Sequence, residues 1–217
     1  MSPDAEGELR VIAGHLDKNL ETAVMAVAGK RRDPFSILVS TIISLRTKDE
    51  VTFAASKRLL DLAGDPASMA ALPEEEIAGA IYPAGFYRNK AKQIRESSRI
   101  IVEEHAGRTP DTLEALTALP GVGRKTANLV LGIGYGIPSI CVDIHVHRIA
   151  NRLGWIETRN PEQSEFALME LFPQRYWIPL NDLLVRFGQQ QCTPVSPWCS
   201  SCPLEADCPK VGVGKRR

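Results

Sequence analysis

Four of the five cysteines in this chain fall within 17 residues: Cys192, Cys199, Cys202 and Cys208, spaced C-x6-C-x2-C-x5-C. Thiols this crowded dictate the loop that carries them, because they either cross-link or share one metal group. The chain opens Met1-Ser2-Pro3-Asp4-Ala5-Glu6, acidic and with no apolar run behind it. A secretory signal is therefore not expected, and the cytoplasm is the default compartment. In a reducing compartment, close cysteines favour metal over disulfide. Structural zinc sites usually pair two close knuckles. Here only Cys199 and Cys202 are close, and the outer two are set wide, a spacing that single iron–sulfur clusters tolerate. Spacing alone leaves zinc and iron–sulfur both open. Cys141 lies outside the run and reads as a buried thiol.

Upstream, hydrophobic periodicity predicts an all-α fold with short loops. Asp33 and Pro34 offer a cap and a first-turn proline before an apolar helix, Phe35 to Leu45. Asp49 opens a second, Val51 to Leu62. Acids at Glu74, Glu75 and Glu76 suit a helix start. A basic helix runs from about Tyr87 to His105, stopped by Gly107. Further helices are predicted from Thr109, from Arg124 to about Ile133, over Asp143 to Leu153, over Asn160 to Leu171 and over Leu180 to Phe187. Ile137 to Val142 could be extended, and the tail after Cys208 reads as unstructured. No run of 18 or more apolar residues exists, so no membrane span is expected. The formal net charge is zero, which argues against a protein that coats nucleic acid but not against a local basic face. Residues 84–99 are such a stretch, with Arg88, Lys90, Lys92, Arg95 and Arg99 against Glu96. Residues 121–152 are another, with Arg124, Lys125, Arg148 and Arg152 against Asp143.

Leu119-Pro120-Gly121-Val122-Gly123-Arg124-Lys125-Thr126-Ala127 joins two helices. Gly121 and Gly123 permit positive φ and let another backbone come close. Amides of Gly121, Val122, Gly123 and the next helix start are then free to hold a phosphate, positioning DNA without reading its sequence. Lys125 sits in the first turn of that helix, where the dipole disfavours a cation. A lysine amine is a nucleophile when neutral, and cationic neighbours and partial desolvation favour that form. Asp143 follows the apolar Ile140-Cys141-Val142 and can cap the helix it opens. The same carboxylate can stabilise an electron-poor sugar or assist proton transfer. His145 and Arg148 share one helix face and can hold phosphates. His147 reads as structural.

These motifs together resemble the endonuclease III family of helix-hairpin-helix DNA glycosylases. Leu119 to Ala127 resembles the family hairpin, Val142-Asp143-Ile144-His145-Val146-His147-Arg148 its aspartate motif, and the cysteine spacing its cluster loop. The resemblance runs from roughly Asp33 to Cys208. It implies a six-helix barrel carrying the hairpin over residues 30–138. A second helical domain, holding a [4Fe-4S] cluster on the four cysteines, would be formed by residues 1–29 and 139–217. Lys125 would be the nucleophile and Asp143 the catalytic carboxylate. The substrate would be duplex DNA with oxidised pyrimidines or abasic sites, engaged by a monomer and, in a bacterium, at the nucleoid.

Two further positions follow from the resemblance. Ser44-Leu45-Arg46-Thr47-Lys48-Asp49 matches the segment whose third residue, glutamine in many bacterial relatives, fills the gap left by a flipped base. Arg46 stands there, and its fork of donors can read the opposite base differently. Gly85-Phe86-Tyr87-Arg88-Asn89-Lys90-Ala91 resembles the wedge loop, with Phe86 where relatives often carry leucine; an apolar side chain there can part base steps. Two other readings compete. One is a mismatch-directed thymine, uracil or adenine glycosylase of the same superfamily, many of which lack the lysine. The other is a non-enzymatic iron–sulfur protein or DNA-binding module, which leaves the pairing of Lys125 with Asp143 unexplained.

Overall fold

The computed structural model describes residues 4–17, 21–31 and 33–217. The described residues are helical, with no strand among them. The α-helices are α1 (Ala5–His15), α2 (Ala23–Lys30), α3 (Pro34–Ser44), α4 (Asp49–Leu62), α5 (Pro66–Ala71), α6 (Glu74–Ile81), α7 (Tyr87–Glu104), α8 (Leu113–Thr117), α9 (Arg124–Leu129), α10 (Ile144–Arg152), α11 (Pro161–Leu171) and α12 (Trp177–Gln190). No helix among the described residues is long and apolar enough to cross a membrane.

The helix starts are set by local chemistry. The Asp33 carboxylate accepts from the Ser36 amide at 2.8 Å, and Asn160 does the same for Gln163 at 2.9 Å, each with proline in the first turn. Each such cap contributes about 1 kcal/mol. Asp65 and Ser68 form a reciprocal capping box on α5.

The chain divides into two compact units. One spans residues 22–137. Its centre is α3, in which every residue from Phe35 to Ile43 is buried. A helix buried on all sides must be wrapped by others, and α2, α4, α7 and α9 pack on it. The other unit joins residues 1–21 to residues 138–217. Its core gathers Leu9 and Ile12 of α1 with Val146, Ile149, Trp155, Leu168, Phe172, Leu180, Leu184 and Phe187. The Trp155 indole N–H donates to the Glu8 carboxylate, tying the first helix to the C-terminal half.

Several expectations need correction. Residues 23–30 pack on α3 and α4, so the division falls nearer residue 21 than 29. The helix expected from Thr109 starts at Leu113, capped by the Thr112 hydroxyl. The tail is ordered by its backbone: Val211 N–H donates to Arg152 O at 3.1 Å and Arg217 N–H to Pro197 O at 2.8 Å. The Arg217 guanidinium lies 3.8 Å from the centre of the Trp198 ring. The tail reads as unstructured in the sequence because these pairings join residues far apart along the chain.

Candidate functional site

In the unit of residues 22–137, α8 and α9 are joined by the glycine turn. Gly121 takes φ +78°, a conformation that favours glycine, and a Cβ there would stand 2.7 Å from the end of the Gln93 side chain, which would have to shift. Gly123 differs from expectation: its φ is −95°, and an added Cβ would meet nothing within 4 Å. The fold itself does not demand glycine at 123. Its bare backbone is the N-cap of α9 and carries no side-chain cap; of the hairpin amides expected to be free, that of Val122 donates to Leu119 O at 3.1 Å. α9 then runs on into a π-helical turn, Val130–Gly134.

Lys125 is the second residue of α9 and is half-buried. No carboxylate among the described residues pairs with it. A cation in the first turn opposes the helix dipole by about 0.3–1 kcal/mol, and no ion pair among the described residues offsets that.

In the other unit, Asp143 caps α10. Its Oδ1 accepts from the amides of His145 at 2.8 Å and Val146 at 2.9 Å. Both bonds fall on the same oxygen, so Oδ2 is not used by the cap. His145 Nδ1 lies 3.1 Å from an Arg148 nitrogen. The Arg148 guanidinium turns inward, donating to Cys192 O at 2.9 Å and more weakly to Gly188 O at 3.4 Å. Burial pushes its pKa down from the ordinary arginine value. Its contacts support holding the cysteine loop rather than a phosphate. His147 joins a polar network, its Nδ1 lying 2.7 Å from the Ser164 hydroxyl.

Cys192, Cys199, Cys202 and Cys208 line one recess, closed by Arg152, Leu153, Phe187, Trp198, Lys210 and Val213 among others. All four carry free thiols. Arg152 reaches Cys192 Sγ at 3.5 Å and holds the loop through Thr193 O at 2.7 Å and Pro194 O at 2.8 Å. Lys210 N–H lies 3.4 Å from Cys208 Sγ. Burial pushes the Cys202 and Cys208 thiols up, and the charge of the neighbouring cysteines adds to it. No three Cys, His, Asp or Glu side chains among the described residues meet as for a single ion.

Arg46 and Phe86 are brought together. Both are non-glycine residues in the left-handed region, φ 55° and 57°. The Arg46 guanidinium lies 4.9 Å from the Phe86 ring centre. Phe86 is 61% exposed, so it is not a core aromatic. The sequence reading missed the residue beneath them. Lys90, counted among the cations of a basic face, is only 4% exposed. Its Nζ donates to Ile43 O at 2.7 Å, Leu45 O at 2.5 Å and the Thr47 hydroxyl at 2.8 Å. Helical spacing held the signal, because Lys90 falls on the same face of α7 as Ile94, Ser97 and Ile101.

A model of the HhH-GPD superfamily of base excision DNA repair proteins matches residues 39–174. Endonuclease III of Thermotoga maritima is 49% identical over 179 residues, covering 82% of this chain and 84% of that protein. Endonuclease III of Escherichia coli is 37% identical over 175 residues, covering 81% and 83%. The solved structure of a trapped endonuclease III–DNA covalent intermediate superposes with a TM-score of 0.84 at 31% identity, covering 97% of this chain and 96% of that one. The glycine-capped hairpin, the lysine in its first helical turn, the capping carboxylate and the four thiols at one recess thus stand in a chain that belongs to the HhH-GPD base excision DNA repair superfamily, within its endonuclease III family.

Proposed function

We propose that Lys125 and Asp143 are the catalytic pair of a bifunctional enzyme that excises an oxidised pyrimidine from duplex DNA and cleaves the strand at the abasic site. Base excision with strand cleavage is the activity of the endonuclease III family to which the chain belongs. The observation that carries the assignment is Lys125, a cation set against a helix dipole with no salt bridge to an acid among the described residues. The hairpin amides around Gly123 hold a backbone phosphate, and the damaged nucleotide is flipped from the stack. Lys125 Nζ attacks C1′ of the sugar and the base departs with the C1′–N bond pair. Asp143 stabilises the positive charge that develops at C1′. The lysine then loses a proton and the sugar ring opens, giving a Schiff base that acidifies the C2′ proton. Loss of that proton expels the 3′ phosphate by β-elimination. Arg46 and Phe86 fill the space the nucleotide leaves.

The four cysteines fit a [4Fe-4S] cluster: four thiols surround one recess with a guanidinium and a backbone amide directed at two of the sulfurs. Four thiols with only Cys199 and Cys202 closely spaced suit a single iron–sulfur cluster better than a zinc site built from two close knuckles. The cluster would contribute structure, holding the loop beneath α10.

A panel of duplexes, each carrying one lesion, tests the proposal when base release and strand cleavage are scored separately. Release and cleavage at oxidised pyrimidines are expected, with little at a normal thymine opposite guanine. Selective release of that thymine would replace this reading with the mismatch-directed one.

A further inference from the structure

Arg46 and Phe86 lie on separate segments, the turn after α3 and the turn before α7, yet their side chains stack. Two backbone features bring the turns together. Gly85 N–H donates to the Thr47 hydroxyl at 3.1 Å. A Cβ on Gly85 would stand 2.5 Å from Arg46 O, so the turns approach more closely than any side chain permits. Lys90 completes the junction from below. Its ammonium sits at the C-terminal end of α3, where free carbonyls and the dipole favour a cation, and it donates to the Thr47 hydroxyl that Gly85 N–H also uses. One buried side chain thereby holds both turns through Thr47.

We propose that Lys90, acting through Thr47, is a positioning residue that locks Arg46 and Phe86 into one stacked unit, so that the choice of base opposite the lesion depends on a residue that never touches DNA. The inference rests on Arg46 reading the opposite base. Burial pushes Lys90 down to about 8, a cost the fold accepts in return for the junction. Both Arg46 and Phe86 hold a backbone conformation that costs non-glycine residues of the order of 1–3 kcal/mol unless the surroundings impose it.

The test is single-turnover nicking of four duplexes, each with an abasic site opposite A, C, G or T, by the cluster-loaded protein. Arg46→Ala should change the spread of rates across the four by roughly 5- to 100-fold. Thr47→Val keeps the shape of the side chain and leaves Lys90 its two carbonyls, so it should fold. It should move the spread in the same direction by about threefold or more. Thr47→Ser keeps the hydroxyl and should restore the parent pattern. A merely structural role predicts that Thr47→Val slows all four duplexes alike; that outcome, with Arg46→Ala still altering the spread, overturns the coupling alone. A parent-like spread in Arg46→Ala overturns the reading of Arg46 and the coupling with it. Absence of nicking by the parent on every duplex overturns the proposed activity itself.

Discussion

Two helix starts carry the proposed chemistry, and they are opposites. At α10 a carboxylate caps the first amides, with Asp143 Oδ1 accepting two of them. At α9 the cap is a bare glycine, and the first turn holds a lysine that no acid among the described residues pairs. Asp143 has a sufficient structural reason to be where it is; Lys125 has none. A residue that serves the fold can also serve the reaction, but a residue that works against the fold points to function more directly. The two starts lie in different compact units.

The largest effect that sharpens this contrast is expected at Lys125. Lys125→Ala should lower nicking of abasic DNA by about 10³-fold or more, the scale on which a covalent nucleophile acts. Its thermal midpoint should stay level or rise, because alanine is the better helix former and the unfavourable cation is gone. A destabilised Lys125→Ala would break the contrast.

Asp143 should behave differently. Asp143→Asn and Asp143→Ala should each lose about 10²- to 10⁴-fold in base release. Only the alanine variant should lose stability, by about 1 kcal/mol, since asparagine caps as well as aspartate. Equal stability losses in urea titrations would contradict the double role.

The two hairpin glycines should separate in the same way. Gly121→Ala meets both a positive φ and the Gln93 side chain, and should destabilise by about 1–3 kcal/mol. Gly123→Ala meets open space and should change stability by less than about 0.5 kcal/mol. It should still weaken binding to duplex DNA, read by fluorescence anisotropy at fixed salt.

The smallest effect concerns Lys90. Its folded pKa of about 8 lies below the ordinary lysine value of 10.5, so between those pH values the unfolded chain holds the proton more tightly. Burial of the charged form weakens the fold below pH 8, and that penalty is relieved as pH rises toward 10.5. The stability of the parent relative to Lys90→Met should therefore rise from pH 7.5 to pH 9.5. A constant difference in urea midpoint would contradict it.

Much of this was legible in the sequence, because capping and turn chemistry act over three or four residues. Asp33, Asn160 and Asp143 each cap the helix they were expected to open. The all-helical fold follows from apolar periodicity, and the family from motifs whose residues are adjacent in the chain. What escaped depends on contacts between distant segments. Lys90 reads as one more surface cation until α3 ends against it. Arg148 reads as a phosphate ligand until the Cys192 carbonyl, far along the chain, accepts its proton. The tail reads as loose until its backbone meets Arg152 and Pro197.

The central claim is that Lys125 is the nucleophile, and borohydride trapping on an abasic duplex tests it most directly. The parent should yield a covalent protein–DNA adduct, with the modified residue mapping to Lys125 by mass spectrometry. Asp143→Asn should still yield it, more slowly. Lys125→Ala should yield none. An undiminished adduct in Lys125→Ala would contradict the account and move the nucleophile elsewhere.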